Sequence, residues 1–215
     1  MRSMFDQQLK TLNEEMLYMG GLCEDTIQQT IEALMSGDVK KAHDLNNMMS
    51  QLTQQERSIE NICLKLLMQQ QPVARDLRTI SSSLKMVTDM ERIGIQACEI
   101  AEIIAAGNVI RATDKVDFQE LSDEVSHMVQ MAMMAYDKKN LDLADEVIKY
   151  DDVVDKLFCD IREDLIKQLK DDTNDAECFI DMLMIDKYFE RIGDHAVNIA
   201  SWVKFSITGE IQIVE

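Results

Sequence analysis

One eleven-residue string occurs twice in this chain, and that recurrence constrains the fold more than any single element. Residues 91–101 read ERIGIQACEIA and residues 190–200 read ERIGDHAVNIA, with seven of eleven positions identical. A repeat of roughly 100 residues within a chain of 215 predicts two copies of one unit. Apolar residues elsewhere recur at helical spacing, and no segment shows the period-two alternation of a strand. With one Pro and seven Gly there is little material for turns, so the repeating unit is built from long helices.

The first helix is predicted over residues 4–36, with Leu9, Leu12, Met16, Met19, Cys23, Ile27, Ile31 and Leu34 on its apolar face. Ser36-Gly37-Asp38 ends it and caps the next, since Gly favours a left-handed stop and Asp a helix start. The second helix runs over about 38–70, striped by Leu45, Leu52, Ile59, Ile62 and Leu66, until Gln71-Pro72 breaks it. A third reaches about Ala106, carrying Leu77, Ile80, Leu84, Val87, Ile93, Ile100 and Ile104, and Gly107-Asn108 closes the first half. A short linker, Val109–Lys115, leads to a helix over about 115–138, a next one running to about 170 and a last over about 175–207. Lys139–Asp142 and Asp171–Asp175 are the breaks between them, and the tail from Thr208 is loose. The expectation is an all-α fold of two tandem three-helix bundles, residues 1–108 and 113–210.

The two halves align in two registers. Their last helices superpose with an offset of 99, which pairs Glu91 with Glu190 and Ile95 with Asp194. The turns before their second helices, Gly37–Ala42 and Lys139–Ala144, superpose with an offset of 102. That register pairs Met49 with Asp151 and Thr53 with Asp155, and leaves three extra residues in the first half near Pro72.

A candidate site follows from the difference between the copies. The second half carries D-x-x-x-D (Asp151, Asp155) and E-x-x-x-D (Glu190, Asp194) on successive helices. Residues four apart share a helix face, so neighbouring antiparallel helices bring four carboxylates together. Their repulsion is relieved by proton uptake or by a cation. Oxygen ligands suit Mg²⁺, Mn²⁺, Ca²⁺ or ferric iron, with zinc a further option. Spacing alone is weak evidence in so acidic a chain. Acid pairs four apart also occur at Glu120/Glu124, Asp142/Glu146, Asp160/Asp164, Asp171/Asp175, Glu177/Asp181 and Asp186/Glu190, and read as solvated faces. The first half supplies the contrast. Met49, Thr53, Glu91 and Ile95 keep one acid in four, and replacement by Met and Ile marks shielded positions. One working carboxylate site and one degenerate copy is the reading.

Other motifs carry less. Glu124-x-x-His127 is half of a ferritin-like di-iron signature, whose second E-x-x-H is absent. His195 beside Asp194 reads equally as a group supporting the acids or as a surface histidine. Met128, Met131, Met133 and Met134 read as adaptable core packing, and Trp202 as a core or interface anchor. No Gly-rich phosphate loop, H-E-x-x-H or local nucleophile–base arrangement occurs, so the sequence makes no positive case for an enzyme.

Composition excludes some partners. Lys plus Arg number 22 against 40 Asp plus Glu, a net charge of −18 that repels nucleic acid and anionic lipid. Soluble partners with basic faces, or cations, suit it better. Five scattered cysteines without a C-x-x-C pair read as reduced thiols of a cytoplasmic protein. No apolar run approaches a membrane span, and the N-terminus reads as lacking a signal peptide.

QPVARDLR (71–78) and two ERIG strings, each followed by A-x-x-I-A, resemble the PhoU family along essentially the whole chain. The resemblance implies two tandem three-helix bundles, often as homodimers. It implies metal binding at D/E-x-x-x-D motifs, with iron or zinc ahead of magnesium or manganese, here at Asp151, Asp155, Glu190 and Asp194. The family pattern expects acids (or Asn) at Met49 and Thr53 and Asp at Ile95, so the first cluster is in doubt. It also implies a cytoplasmic negative regulator of phosphate uptake and of the phosphate-starvation response. Its partners are then the phosphate ABC transporter ATPase and a sensor histidine kinase. The alternatives are a di-metal carboxylate redox or metal-storage protein, or an accessory to another transporter.

Overall fold

The computed structural model describes residues 2–69, 72–109, 116–171 and 175–210, and every element in them is helical. Helix α1 is Arg2–Ser36, α2 Val39–Asp44, α3 Asn46–Gln69 and α4 Ala74–Ala106. In the second half α5 is Gln119–Lys138, α6 Leu141–Asp171 and α7 Ala176–Thr208. The repeating unit is three long helices in each half, as expected. The expected linker after Val109, the break at 172–174 and the tail after Glu210 lie outside the described residues.

The turns form for the reasons their residues suggest. Gly37 takes a positive φ of 63°, and the Asp38 carboxylate accepts the Lys41 N–H at 3.0 Å, capping α2. The register mate of Gly37 is Lys139, which adopts φ 49° without being glycine. Beside it the Asn140 Oδ1 accepts the Leu143 N–H at 3.2 Å, so the second half reproduces the turn with different residues. Gly107 (φ 83°) and Gly209 (φ 81°) close α4 and α7 in the left-handed region that glycine enters freely.

Two features depart from expectation. The second helix is two pieces, α2 and α3, because the chain tightens at Leu45. There the Leu45 N–H reaches the Ala42 carbonyl and the Met48 N–H reaches the Leu45 carbonyl, both at three-residue spacing. The buried Cys98 thiol also points at the Leu45 carbonyl, 3.7 Å away. Leu77, expected on the apolar face, is 44% exposed, because the first turn of α4 extends past the core.

The two halves share one core. Buried apolar residues form a continuous cluster from Phe5 on α1 to Val203 on α7. Met128, Met131 and Met133 lie in it, whereas Met134 sits at the surface. Trp202 is half-buried, its ring edge-on to Phe205 at 5.8 Å.

Helices α4 and α7 pair antiparallel at the centre, and their contacts obey the repeat. Gln96 meets His195, its own mate 99 positions on, at 3.5 Å. Asn198 donates to Asp89 at 3.2 Å, and the symmetry-related pair is Tyr188 with Glu99, likewise hydrogen-bonded. Gln96 and His195 are mates that meet each other and the Asn198–Asp89 contact recurs with the helices exchanged, as across the self-complementary interface of a twofold dimer. The chain folds as such a dimer with its halves joined.

Candidate functional site

The repeated glycine sets how closely the helices meet. A Cβ on Gly94 would collide with the Leu52 side chain of α3. A Cβ on Gly193 would sit 3.3 Å from Val154 Cγ1 of α6 and 3.8 Å from Asp151 Oδ1. Leu52 and Val154 are themselves mates at the offset of 102. The ERIG string therefore works position by position: Ile93 and Ile192 enter the core, Gly94 and Gly193 admit the neighbouring helix, and Arg92 and Arg191 face out. Glu91 and Glu190 are half-buried at the seam between helices.

In the second half that seam is acidic. Asp151 and Asp155 come from α6, Glu190 and Asp194 from α7. Burial first, then repulsion from Asp155, Asp194 and Glu190, pushes the Asp151 carboxyl up to about 6. Asp194 is raised by the same causes, burial foremost and Glu190 next, with Lys187 opposing. The four residues chosen from sequence thus act on one another electrostatically.

Their present side-chain arrangement is not a closed cage. The Lys187 ammonium lies 2.5 Å from Glu190 Oε2, and Glu190 is only 13% exposed. No three His, Cys, Asp or Glu side chains among the described residues converge on a point where a metal ion would sit. The donor set fits a hard cation in chemistry: four carboxylates on two helices held close by Gly193, with Lys187 paired to one of them. A cation there competes with Lys187 for Glu190.

The first half replaces this with neutral bonding. Thr53 Oγ1 donates to Glu91 Oε1 at 2.8 Å, so the surviving acid is satisfied by the residue that stands where Asp155 stands in the other copy. Met49 packs on the core beside it. A different acid is buried nearby: Glu56 is pushed up to about 7, chiefly by burial and then by Glu60 and Glu91.

Sequence reasoning misplaced two groups. Asp186 was assigned with Glu190 to a solvated face, yet it is 0% exposed, and neither of its oxygens finds a hydrogen-bond partner among the described residues. Burial pushes it up to about 8, against the pull of the Arg162 guanidinium. The signal was available in the repeat, because the mate of Asp186 is the fully buried Val87. His195, one of whose readings was support for the acids, turns its ring to the other half: Nδ1 lies 2.9 Å from Asp89 Oδ1. Of the E-x-x-H pair, Glu124 accepts the Tyr150 hydroxyl at 2.5 Å and His127 stacks edge-on against that ring. Four cysteines are buried and Cys159 is exposed, all as free thiols.

The chain is similar to known proteins over nearly all of its length. The PhoU domain model matches twice, at residues 16–104 and 118–203. A relative from Clostridium acetobutylicum, named phosphate-specific transport system accessory protein PhoU homolog, is 35% identical over 97% of this chain and 96% of its own. A homolog of the same name from Pseudomonas aeruginosa is 32% identical over 95% of this chain and 86% of its own. The crystal structure of PhoU from Pseudomonas aeruginosa superposes with a TM-score of 0.87 at 30% identity, covering 96% of this chain and 100% of that one. The PhoU structure from Streptococcus pneumoniae superposes at 0.89 with 23% identity over 98% and 100%, a likeness of fold.

Proposed function

The chain belongs to the PhoU family, and on that premise we propose that it is an accessory protein of a phosphate transport system. The observation that carries the reading is the double match: both halves fit the family model, and relatives over nearly the full length bear that name. In the finer reading it is a cytoplasmic adaptor that works as a homodimer. It holds phosphate uptake and the phosphate-starvation response down by contacting the transporter ATPase and a sensor histidine kinase. No helix among the described residues is long and apolar enough to cross a membrane.

Metal binding is part of the proposal. Asp151, Asp155, Glu190 and Asp194 would hold a hard cation, iron or zinc ahead of magnesium or manganese. The cation would neutralise the seam and tie α6 to α7 in one arrangement, so that metal state sets the stiffness of the second bundle. The first bundle, with Thr53 bonded to Glu91, keeps its shape without a cation.

A phosphate-starvation reporter in phosphate-replete cells lacking this protein tests the reading. The reporter is expected on without the protein and silent once wild type is restored. A variant with Asp151, Asp155, Glu190 and Asp194 all changed to Ala reports whether the acids matter to signalling. A reporter that stays off without the protein would refute the regulatory role.

A further inference from the structure

A cavity in the described structure has the opposite chemistry from the acidic seam. It occupies about 740 Å³ where the start of α4 meets α1, the end of α5 and the end of α7. Its charged lining is Lys10, Arg75, Arg78 and Lys139 against Asp76 and Asp137. Four cations face two anions across this lining, and Lys10 also lies 3.5 Å from the Glu14 carboxylate, so a local excess of positive charge remains in a chain of net −18. Such a concentration, on residues from three different elements, does not follow from composition.

Three details set the cavity up to take an anion. Arg78 is half-buried, and its Nε is shielded from solvent with no acceptor among the described residues. The chain at Gly209 lies directly against that side chain: a Cβ there would sit 3.3 Å from Arg78 Cδ and Nη1. Arg78 thus lies close against the chain just after α7. Lys139 is the residue that accepts a left-handed backbone at the α5–α6 turn, where the first half uses Gly37. A lysine stands there in a conformation that glycine adopts more easily, and it is one of the residues lining the cavity. The cavity also adjoins the first turn of α4, whose N-cap residue Val73 makes no side-chain cap, so the positive end of the helix dipole adds to the potential there.

We propose that this cavity binds a phosphomonoester, a dianionic phosphoryl group carried on a small organic body. The positive excess suits a phosphomonoester, dianionic near neutral pH because its second ionisation falls at about 6. Arginine forks suit its oxygens. The volume exceeds what inorganic phosphate fills, and Leu12, Met86 and Ile207 give the remainder an apolar wall for the organic part. The inference rests on the cavity and goes beyond the accessory role, which the reporter experiment tests separately.

The test is titration calorimetry on the full chain, in chelator, with adenosine 5′-monophosphate, orthophosphate and adenosine as probes. The monophosphate is expected to bind, adenosine is not, and orthophosphate binds more weakly through the same side chains. Arg78→Gln and Lys139→Gly each weaken binding by about tenfold or more, the loss of a charge-assisted contact. Lys139→Gly removes a strained residue and is expected to fold at least as well as wild type, so loss of binding there is not loss of structure. Lys65→Gln, at an exposed lysine of α3 outside the cavity lining, leaves binding unchanged. Orthophosphate binding as tightly as the monophosphate identifies free phosphate as the source and supports the same anion chemistry. Absence of binding by both phosphates at millimolar concentration overturns the proposal. So does binding that Arg78→Gln and Lys139→Gly leave intact, or that Lys65→Gln abolishes.

Discussion

Asp186 offers the sharpest test of how this fold treats charge. Its carboxyl is 0% exposed and pushed from 3.8 up to about 8, mainly by burial, while an unfolded chain leaves it near 3.8. Between about pH 4 and pH 8 the folded chain therefore holds a proton that the unfolded chain has released. Stability falls as pH rises through that window, by about 1.4 kcal/mol per pH unit for this group. At pH 7 the accumulated penalty approaches about 4 kcal/mol. The chain itself names the replacement, because Val87 fills the matching position in the first half and is fully buried. Asp186→Val is expected to stabilise the protein by about 2–4 kcal/mol at pH 7, part of the gain being offset by refitting a larger side chain.

Urea unfolding followed by helical circular dichroism, in chelator at pH 5, 6, 7 and 8, measures this directly. Glu56 and Asp151, pushed up to about 7 and 6, lose stability in the same direction and are present in both proteins. The informative quantity is thus the difference between the two curves. It should be small near pH 4, widen steadily and level off above pH 8. A difference independent of pH, or a variant less stable than wild type at pH 7, refutes the reasoning.

Three further outcomes are expected. Iron, zinc or manganese added to the metal-free protein raises its melting temperature, and Asp151→Ala with Glu190→Ala abolishes the rise; because Asp151 titrates at about 6, the effect shrinks as pH falls through that value. Gly94→Ala, whose methyl meets Leu52, lowers stability by about 1–3 kcal/mol despite a gain in helix propensity, whereas Gly193→Ala, with 3.3 Å to Val154, is close to neutral in thermal melts. Asp89→Ala, which strips hydrogen bonds from both His195 and Asn198, lowers stability by about 1–3 kcal/mol, and a double-mutant cycle with His195→Gln recovers most of it as coupling.

Much of the architecture was legible in the residues because helices declare themselves locally. Apolar spacing along α1, the Gly37-Asp38 turn and the Gly107 stop each follow from their own neighbourhoods. The repeat then assigns the second half by copying the first. Local rules failed where a distant residue intervened. Cys98, more than fifty positions away, lies against the carbonyl at the α2–α3 turn. The exposure of Leu77 depends on where the bundle ends.

The candidate acids divide the same way. Spacing puts Asp151 with Asp155 and Glu190 with Asp194 on shared helix faces, and the repeat singles them out from other acid pairs. Whether two faces meet is a matter of packing: Gly193 lets α7 close on α6, and only then do four carboxylates perturb one another. Packing also placed Asp186 in the interior, turned His195 toward Asp89 and gathered Lys10, Arg78 and Lys139 from three elements around one cavity. The sequence by itself determined the helices, their caps and the twofold plan, since these depend on residues a few positions apart. Burial and electrostatics depend on which faces are pressed together, and that was decided only by the tertiary structure.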